Sequence, residues 1–207
     1  MPEDFHDRLS RVLKARKPRR VSLTDARDAA VLIPVVASPA PALIFTVRTE
    51  TLPSHKGQIS FPGGSIDPDE SPVQAALREA NEEIGIESGA VEVLGELDSM
   101  PTFVSGYVIA PVVGWLDEKP LLVPNPAEVA EVFVVPIDEL VDDIRAQPGF
   151  THRGQTYPTE AWLWDDHVIW GVTARLLRTF LDLLARAGLA QAPGPEPAWP
   201  SEVGLGP

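Results

Sequence analysis

Apolar and polar positions follow two different periods along this chain, and each change of period marks a new element. Phe5, Leu9, Val12 and Leu13 recur at helical spacing and predict an amphipathic helix over residues 3–16, ended by Pro18. Two apolar runs, Ala29–Ala37 and Ala42–Val47, read as buried strands, with Pro39 and Pro41 punctuating the turn between them. Residues 49–56 are polar with one proline and predict a loop. Gln58–Phe61 predicts a short strand cut off by Pro62-Gly63-Gly64. Ser71–Ile84 returns to the helical period, and Val91–Leu97, Val108–Leu116 and Val129–Val135 predict strands. Ile137–Ala146 predicts a short helix. Thr159–Trp164 and Val168–Trp170 predict a hairpin across Asp165-Asp166, with Trp162 and Trp164 on the same, core-facing side. Val172–Ala187 predicts a long amphipathic helix. From Gly188 on, five prolines and four glycines fall within twenty residues, which predicts an unstructured tail. Strands and helices mix without strict β-α-β alternation, so the expected fold class is α/β with a mixed sheet. Short linkers favour one domain, residues 29–187, preceded by a basic helical segment (1–28) and followed by the tail (188–207).

Composition narrows what such a domain does. The 207 residues include no cysteine, which excludes a disulfide framework, a thiolate metal site and a cysteine nucleophile. The net charge of −13 argues against bulk electrostatic binding to nucleic acid. It leaves room for a phosphorylated small molecule whose charge a divalent cation screens. No apolar run reaches the ~18 residues of a membrane span. The first thirty residues hold no apolar signal region, so the cytoplasm is the expected location. The charge is uneven: residues 1–20 carry +4, from seven basic side chains against three acids, leaving −17 in the rest. A solvated basic helix end is favoured there over a basic flap that meets an anionic ligand.

The informative stretch is GSIDPDESPVQAALREANEEIGI, Gly64–Ile86. Ser71 suits the N-cap, Pro72 the first helical position and Gln74 the third, which completes a capping box. Gly85 suits the left-handed position that ends a helix. Val73, Ala76, Leu77, Ala80 and Ile84 form a face that can pack on a sheet. On the same helix Glu79, Glu82 and Glu83 stand at i, i+3 and i+4, where like charges destabilise by a few tenths of a kcal/mol per pair, about 0.2–0.5. Arg78 can relieve Glu82 and reach back to Glu70. An isolated E-x-x-E-E is more often a solvent-facing acidic helix. Three clustered carboxylates are otherwise hard oxygen ligands for Mg²⁺ or Mn²⁺, and a backbone carbonyl of Gly63 or Gly64 can add another.

The whole pattern decides between these. Gly64, Glu70, Arg78, Glu79, Glu82, Glu83 and Gly85, with Ala80 and Ile86, match G-x5-E-x7-R-E-U-x-E-E-x-G-U, where U is apolar. At roughly one in fifteen per fixed position, seven such matches arise by chance in about one window in 10⁸. This is the Nudix box, and the chain resembles Nudix hydrolases. The resemblance implies a mixed sheet sandwiched between helices, with the box as a loop–helix–loop. It implies metal-dependent hydrolysis of a diphosphate linked to another moiety, with Glu79, Glu82 and Glu83 as metal-binding glutamates. Gly63 or Gly64 would offer a carbonyl, and Arg78 with Glu70 would form the pair that orients the helix.

The run before the box, LIFTVRTETLPSHKGQISFPGG (Leu43–Gly64), resembles the extra signature of the coenzyme A pyrophosphatase branch. Thr46, Arg48, Leu52, His55, Gly57, Phe61, Pro62, Gly63, Gly64 and Asp67 match it. Thr49 replaces a serine, and Pro53 stands where the branch has an arginine. The implied reaction converts coenzyme A and water to 4′-phosphopantetheine and adenosine 3′,5′-bisphosphate. Acyl-CoA and oxidised CoA are further candidate substrates. ADP-ribose, dinucleoside polyphosphates and nucleoside triphosphates are the alternatives, and a ligand-sensing module without turnover is a third reading. Substrate contacts are expected from Arg48, His55, Lys56, Gly57, Phe61 and Glu128, the last also as a facing-loop base or extra metal ligand. Read by itself, Phe61 suits the core better than a ligand. The partner is then a small molecule, with no nucleic acid or membrane, and the protein a monomer or homodimer.

Overall fold

The computed structural model describes residues 2–37, 39–50, 57–102, 105–140, 144–152 and 155–194. Among the described residues there are three α-helices: α1 (Pro2–Ala15), α2 (Pro72–Ile84) and α3 (Gly171–Arg186). The strands are β1 (Arg27–Val36), β2 (Ala42–Arg48), β3 (Ile59–Ser60), β4 (Gly63–Ser65), β5 (Glu92–Glu96), β6 (Met100–Pro101), β7 (Tyr107–Leu116), β8 (Val129–Pro136), β9 (Ile144–His152), β10 (Gln155–Trp164) and β11 (His167–Trp170).

The main sheet is mixed, in the order β3-β2-β1-β7-β5, with β4 on β1, β6 on β7 and β8 on β2. Its centre is the parallel pair β1–β7, aligned from Arg27↔Tyr107 to Val36↔Leu116. Both strands are buried on two faces, which explains their continuous apolar runs. Alternation still sorts the side chains. Ala29, Ile33 and Val35 of β1 face one core with α1 and α3, while Ala30, Leu32 and Val36 face the core under α2. In β2, Leu43 and Phe45 point to the first core and Ile44 to the second. The result is the expected α/β sandwich, with α2 on the face that carries the box.

Several expectations change. Ile137–Ala146 is not a helix. A 3₁₀ turn covers Ile137–Leu140, and β9 begins at Ile144, paired with Trp162 of β10. Apolar residues at 137, 140 and 144 fit a helix, but the pairing partner lies some twenty residues on, beyond any local window. The very short strands β4 and β6 exist only through their pairing with β1 and β7. The hairpin at Asp165-Asp166 forms, with Asp165 at φ 50°. Trp162 is fully buried, and Trp164 stacks on Phe133.

The basic segment is pinned rather than free. Leu9 and Leu13 of α1 are buried in the core. Arg16 and Arg19 pair with Asp98, and Arg20 pairs with Glu96. Those arginines are neutralised by acids of the domain, which favours the structural reading of this segment. The unstructured reading from Gly188 on does not extend to residues 188–194. Leu189 and Ala190 pack on the core, and Arg178 Nη1 donates to the Gly194 carbonyl at 2.9 Å. Residues 195–207 lie outside the described residues. Among those described, no helix is long and apolar enough to cross a membrane.

Candidate active site

The site begins with the capping of α2. The Ser71 hydroxyl accepts from Gln74 N–H, and the Gln74 side chain accepts from Ser71 N–H at 2.9 Å. Gly85 closes the other end at φ 74°, as its position required. With both ends set, Ala75, Ala76, Ala80 and Ile84 lie flat on the sheet. The carboxylates then emerge at the seam between α2 and β4.

Arg78 organises the outer part of that seam. Its Nε and Nη2 hold the two oxygens of Glu70 at 2.8 and 3.0 Å. Nη2 also donates to the Ser65 carbonyl at 3.0 Å, and Nη1 reaches Glu79 at 2.9 Å and Glu82 at 3.1 Å. The hydrogen bonds from Arg78 hold the Glu70 carboxyl below its usual range, and Arg78 is raised chiefly by Glu70. The loop before α2, the strand β4 and the helix are thereby tied by one planar fork.

The inner part is drier. Glu83 is 2% exposed, accepts from Gly63 N–H at 3.2 Å and faces Arg48 Nη1 at 3.5 Å. Burial pushes its carboxyl up to about 7, against the opposing pull of the Gly63 N–H and Arg48, with Glu79 and Glu128 pushing further upward. Glu79 is also raised, first by burial; Arg78 opposes this, and Glu82 and Glu128 add to it. Glu79 lies directly against Gly64, where an added Cβ would meet its carboxylate at 2.5 Å. The adjacent Gly63 and Gly64 are distinct. Leu32 N–H to Pro62 O and Ile66 N–H to Asp28 O flank the Ala30↔Gly64 position of an antiparallel ladder, so Gly64 exchanges bonds with β1. The peptide groups of Gly63 point the other way, toward Glu83. Of the two carbonyls, that of Gly63 is the one turned away from β1.

Glu128 joins this group from another element. The chain after β7 crosses the end of α2, where Val123 N–H and Asn125 N–H donate to the carbonyls of Ile84 and Glu83. Gly85 has room for it, since an added Cβ would lie 3.2 Å from Val123 Cβ. Glu128 then enters β8 beside β2, its carbonyl accepting from Thr49 N–H at 3.0 Å. Asn125 escaped the sequence reading, although Asn125-Pro126 is a turn signal.

The remaining candidates divide. Gly57, at φ 63°, donates its N–H to the Arg48 carbonyl at 3.1 Å. His55 and Lys56 lie outside the described residues. Phe61 is not in the site. It is 1% exposed and stacks on Phe45 at 4.7 Å in the core on the opposite face of the sheet, so the expected substrate contact is corrected to a packing role.

The donor set suits a hard divalent cation: carboxylates of Glu79 and Glu83, with Glu82 and Glu128 beside them, and the Gly63 carbonyl. Among the described residues no three His, Asp or Glu side chains are gathered round a common point, because Arg78, Arg48 and Gly63 hold the glutamates individually. Burial raises Glu79 and Glu83 even though these contacts pull the other way.

Comparison with known proteins agrees with this geometry. Residues 26–158 match the model of the NUDIX domain. A protein of Photorhabdus laumondii named uncharacterized Nudix hydrolase NudL is 41% identical over 162 residues, covering 77% of this chain and 86% of that one. A protein of the same name from Cronobacter sakazakii is 40% identical over 173 residues, covering 82% and 89%. A solved MutT/nudix family protein from Enterococcus faecalis superposes with a TM-score of 0.50 at 15% identity, covering 81% of this chain and 64% of that one, which is a likeness of fold.

Proposed function

Because this chain belongs to the Nudix hydrolase family, we propose that it hydrolyses the diphosphate bond of coenzyme A, using Mg²⁺ or Mn²⁺, to give 4′-phosphopantetheine and adenosine 3′,5′-bisphosphate. The carrying observation for the chemistry is the placement of Glu83 on the Gly63 N–H and of Glu79 against Gly64, with the charge of Glu128 acting on both glutamates. For the substrate it is the run from Leu43 to Gly64, two of whose residues, Arg48 and Gly63, meet at Glu83.

Phosphoryl transfer asks a protein mainly for positioning and charge neutralisation. Glu79, Glu82, Glu83 and the Gly63 carbonyl would hold the cation, which when bound supplies neutralisation of the diphosphate oxygens and a lowered pKa for water. Arg78 and Glu70 keep α2 and the preceding loop in register, so the glutamates share one reference. Arg48 faces Glu83 and offers a cation to an incoming phosphate. In this reading Glu128, from a separate element, takes the proton from the attacking water.

Product analysis by chromatography tests this reading. Protein with Mg²⁺ or Mn²⁺ is offered CoA, dephospho-CoA, ADP-ribose, NADH and a diadenosine polyphosphate, with Glu83→Gln as control. Preferred cleavage of CoA, lost in the variant, is the expected result. Cleavage of ADP-ribose or the dinucleotide with CoA untouched would overturn the substrate and direct attention to Pro53. No turnover of any of them would favour a sensing role.

A further inference from the structure

The turn that carries Glu128 is built on Asn125, and it joins two elements of the site. The Asn125 N–H donates to the Glu83 carbonyl at 2.8 Å, and the Val123 N–H to the Ile84 carbonyl at 2.9 Å. These are end carbonyls of α2, which have no partner within the helix. The Asn125 carbonyl accepts from Glu128 N–H at 3.0 Å and Val129 N–H at 2.8 Å, and its side-chain Oδ1 accepts from Ala127 N–H at 3.1 Å. Asn in the first position and Pro126 in the second suit such a turn, the side chain bonding its own backbone two residues on. On the far side the Glu128 carbonyl accepts from Thr49 N–H, next to Arg48. The Glu128 backbone is thus held from α2 and from β2 at once. Glu79 and Glu83 both respond to its charge.

We propose that Asn125 is a positioning residue, whose side-chain turn fixes Glu128 opposite Glu79 and Glu83 with the end of α2 as reference. The inference rests on the reading of Glu128 as part of a diphosphate-hydrolysing site. Substitution leaves the backbone bonds possible and removes only the Oδ1 acceptor, so that acceptor is what a variant tests.

The experiment is a double-mutant cycle of Asn125→Ala and Glu128→Gln, with Asn125→Ser as the variant that keeps a turn acceptor without charge. Thermal melts accompany each. Two quantities are read: Mn²⁺ affinity by calorimetry on the free protein, and kcat and KM across pH. A carboxylate beside a bound cation attracts it whatever its catalytic part. Mn²⁺ affinity therefore reports the position of Glu128 independently of turnover. Each single variant is expected to weaken Mn²⁺ binding roughly fivefold, the ratio for about 1 kcal/mol. The double variant should bind no more weakly than Glu128→Gln alone, since the two act through one carboxylate. Asn125→Ser should bind close to wild type. In kinetics, Asn125→Ala should lower kcat more than it changes KM, with no further loss in the Glu128→Gln background. Effects that multiply in the double variant, an Asn125→Ala protein with wild-type affinity and kcat, or unchanged Mn²⁺ affinity in Glu128→Gln would each overturn the proposal. If the wild type cleaves no diphosphate while the Mn²⁺ coupling holds, the function is overturned and the placement of Glu128 by Asn125 is supported.

Discussion

Arg48 faces Glu83 across the join of β2 and α2, with Nη1 3.5 Å from a carboxylate that is only 2% exposed. The pair is loose for an ion pair, and the other Glu83 oxygen takes the Gly63 N–H. Among the described residues Arg48 Nε has no hydrogen-bond partner. One cation and one peptide N–H do not offset the burial of Glu83, so its carboxyl titrates near 7.

That shift gives stability a pH dependence with a definite sign. Between about 4.5 and about 7 the folded metal-free protein keeps a proton on Glu83 that the unfolded chain has released. Its stability therefore falls as pH rises through this window. Glu83→Gln should lose that part of the slope and recover up to about 3 kcal/mol at pH ~8 relative to pH ~5. Melts of both proteins in a chelator, at the two pH values, measure the difference. Parallel loss of stability in the two would contradict the burial of the charge.

The adjacent Gly63 and Gly64 should fail differently. At Gly63 an added Cβ would strike the Ala30 carbonyl and the Val31 backbone, which cannot step aside. Gly63→Ala is expected to cost about 2–4 kcal/mol of stability. At Gly64 the obstacle is the Glu79 carboxylate, which can swing away. Gly64→Ala should melt within ~1 kcal/mol of wild type while losing most activity, because Glu79 leaves its place. Denaturant titrations and kcat for the two variants decide this, and equal stability losses would refute the distinction.

Arg78→Lys keeps the charge but not the fork that spans Glu70, Glu79, Glu82 and the Ser65 carbonyl. Far-UV circular dichroism should be unchanged and kcat should fall roughly 10²-fold, the scale of an ångström-sized displacement of a catalytic group. A lysine variant with near wild-type kcat would show that the charge alone suffices.

Phe61→Leu tests the corrected role of that ring. Stacked on Phe45 in the core, it should cost on the order of 1–2 kcal/mol when replaced and leave KM unchanged at temperatures where the variant is folded. A KM that rises without a change in the melt would restore it to the substrate.

Much of this protein is legible along the chain because the relevant interactions are local. The α2 boundaries follow from Ser71, Pro72, Gln74 and Gly85, and the common face of Glu79, Glu82 and Glu83 follows from the helical repeat. The buried strands follow from β1 and β7 being apolar on both faces. The same is true of the family, whose pattern is concentrated in Gly64–Ile86.

Other features arose only when distant segments met. β9 and the short strands β4 and β6 are set by pairing, which no local window contains. Phe61 suits the core when read alone and the substrate when read through its motif, and only the sheet gives its side chain a face. Arg48 and Glu83 are 35 residues apart in sequence, and Glu128 lies 45 beyond Glu83; only β2, the turn at Asn125 and the end of α2 bring the three together. The sequence by itself determined which side chains one helix could offer, since a helix fixes its own faces. The tertiary structure decided how much water those side chains lose and which charges confront them, because solvation and Coulomb energy depend on neighbours that chain order does not specify.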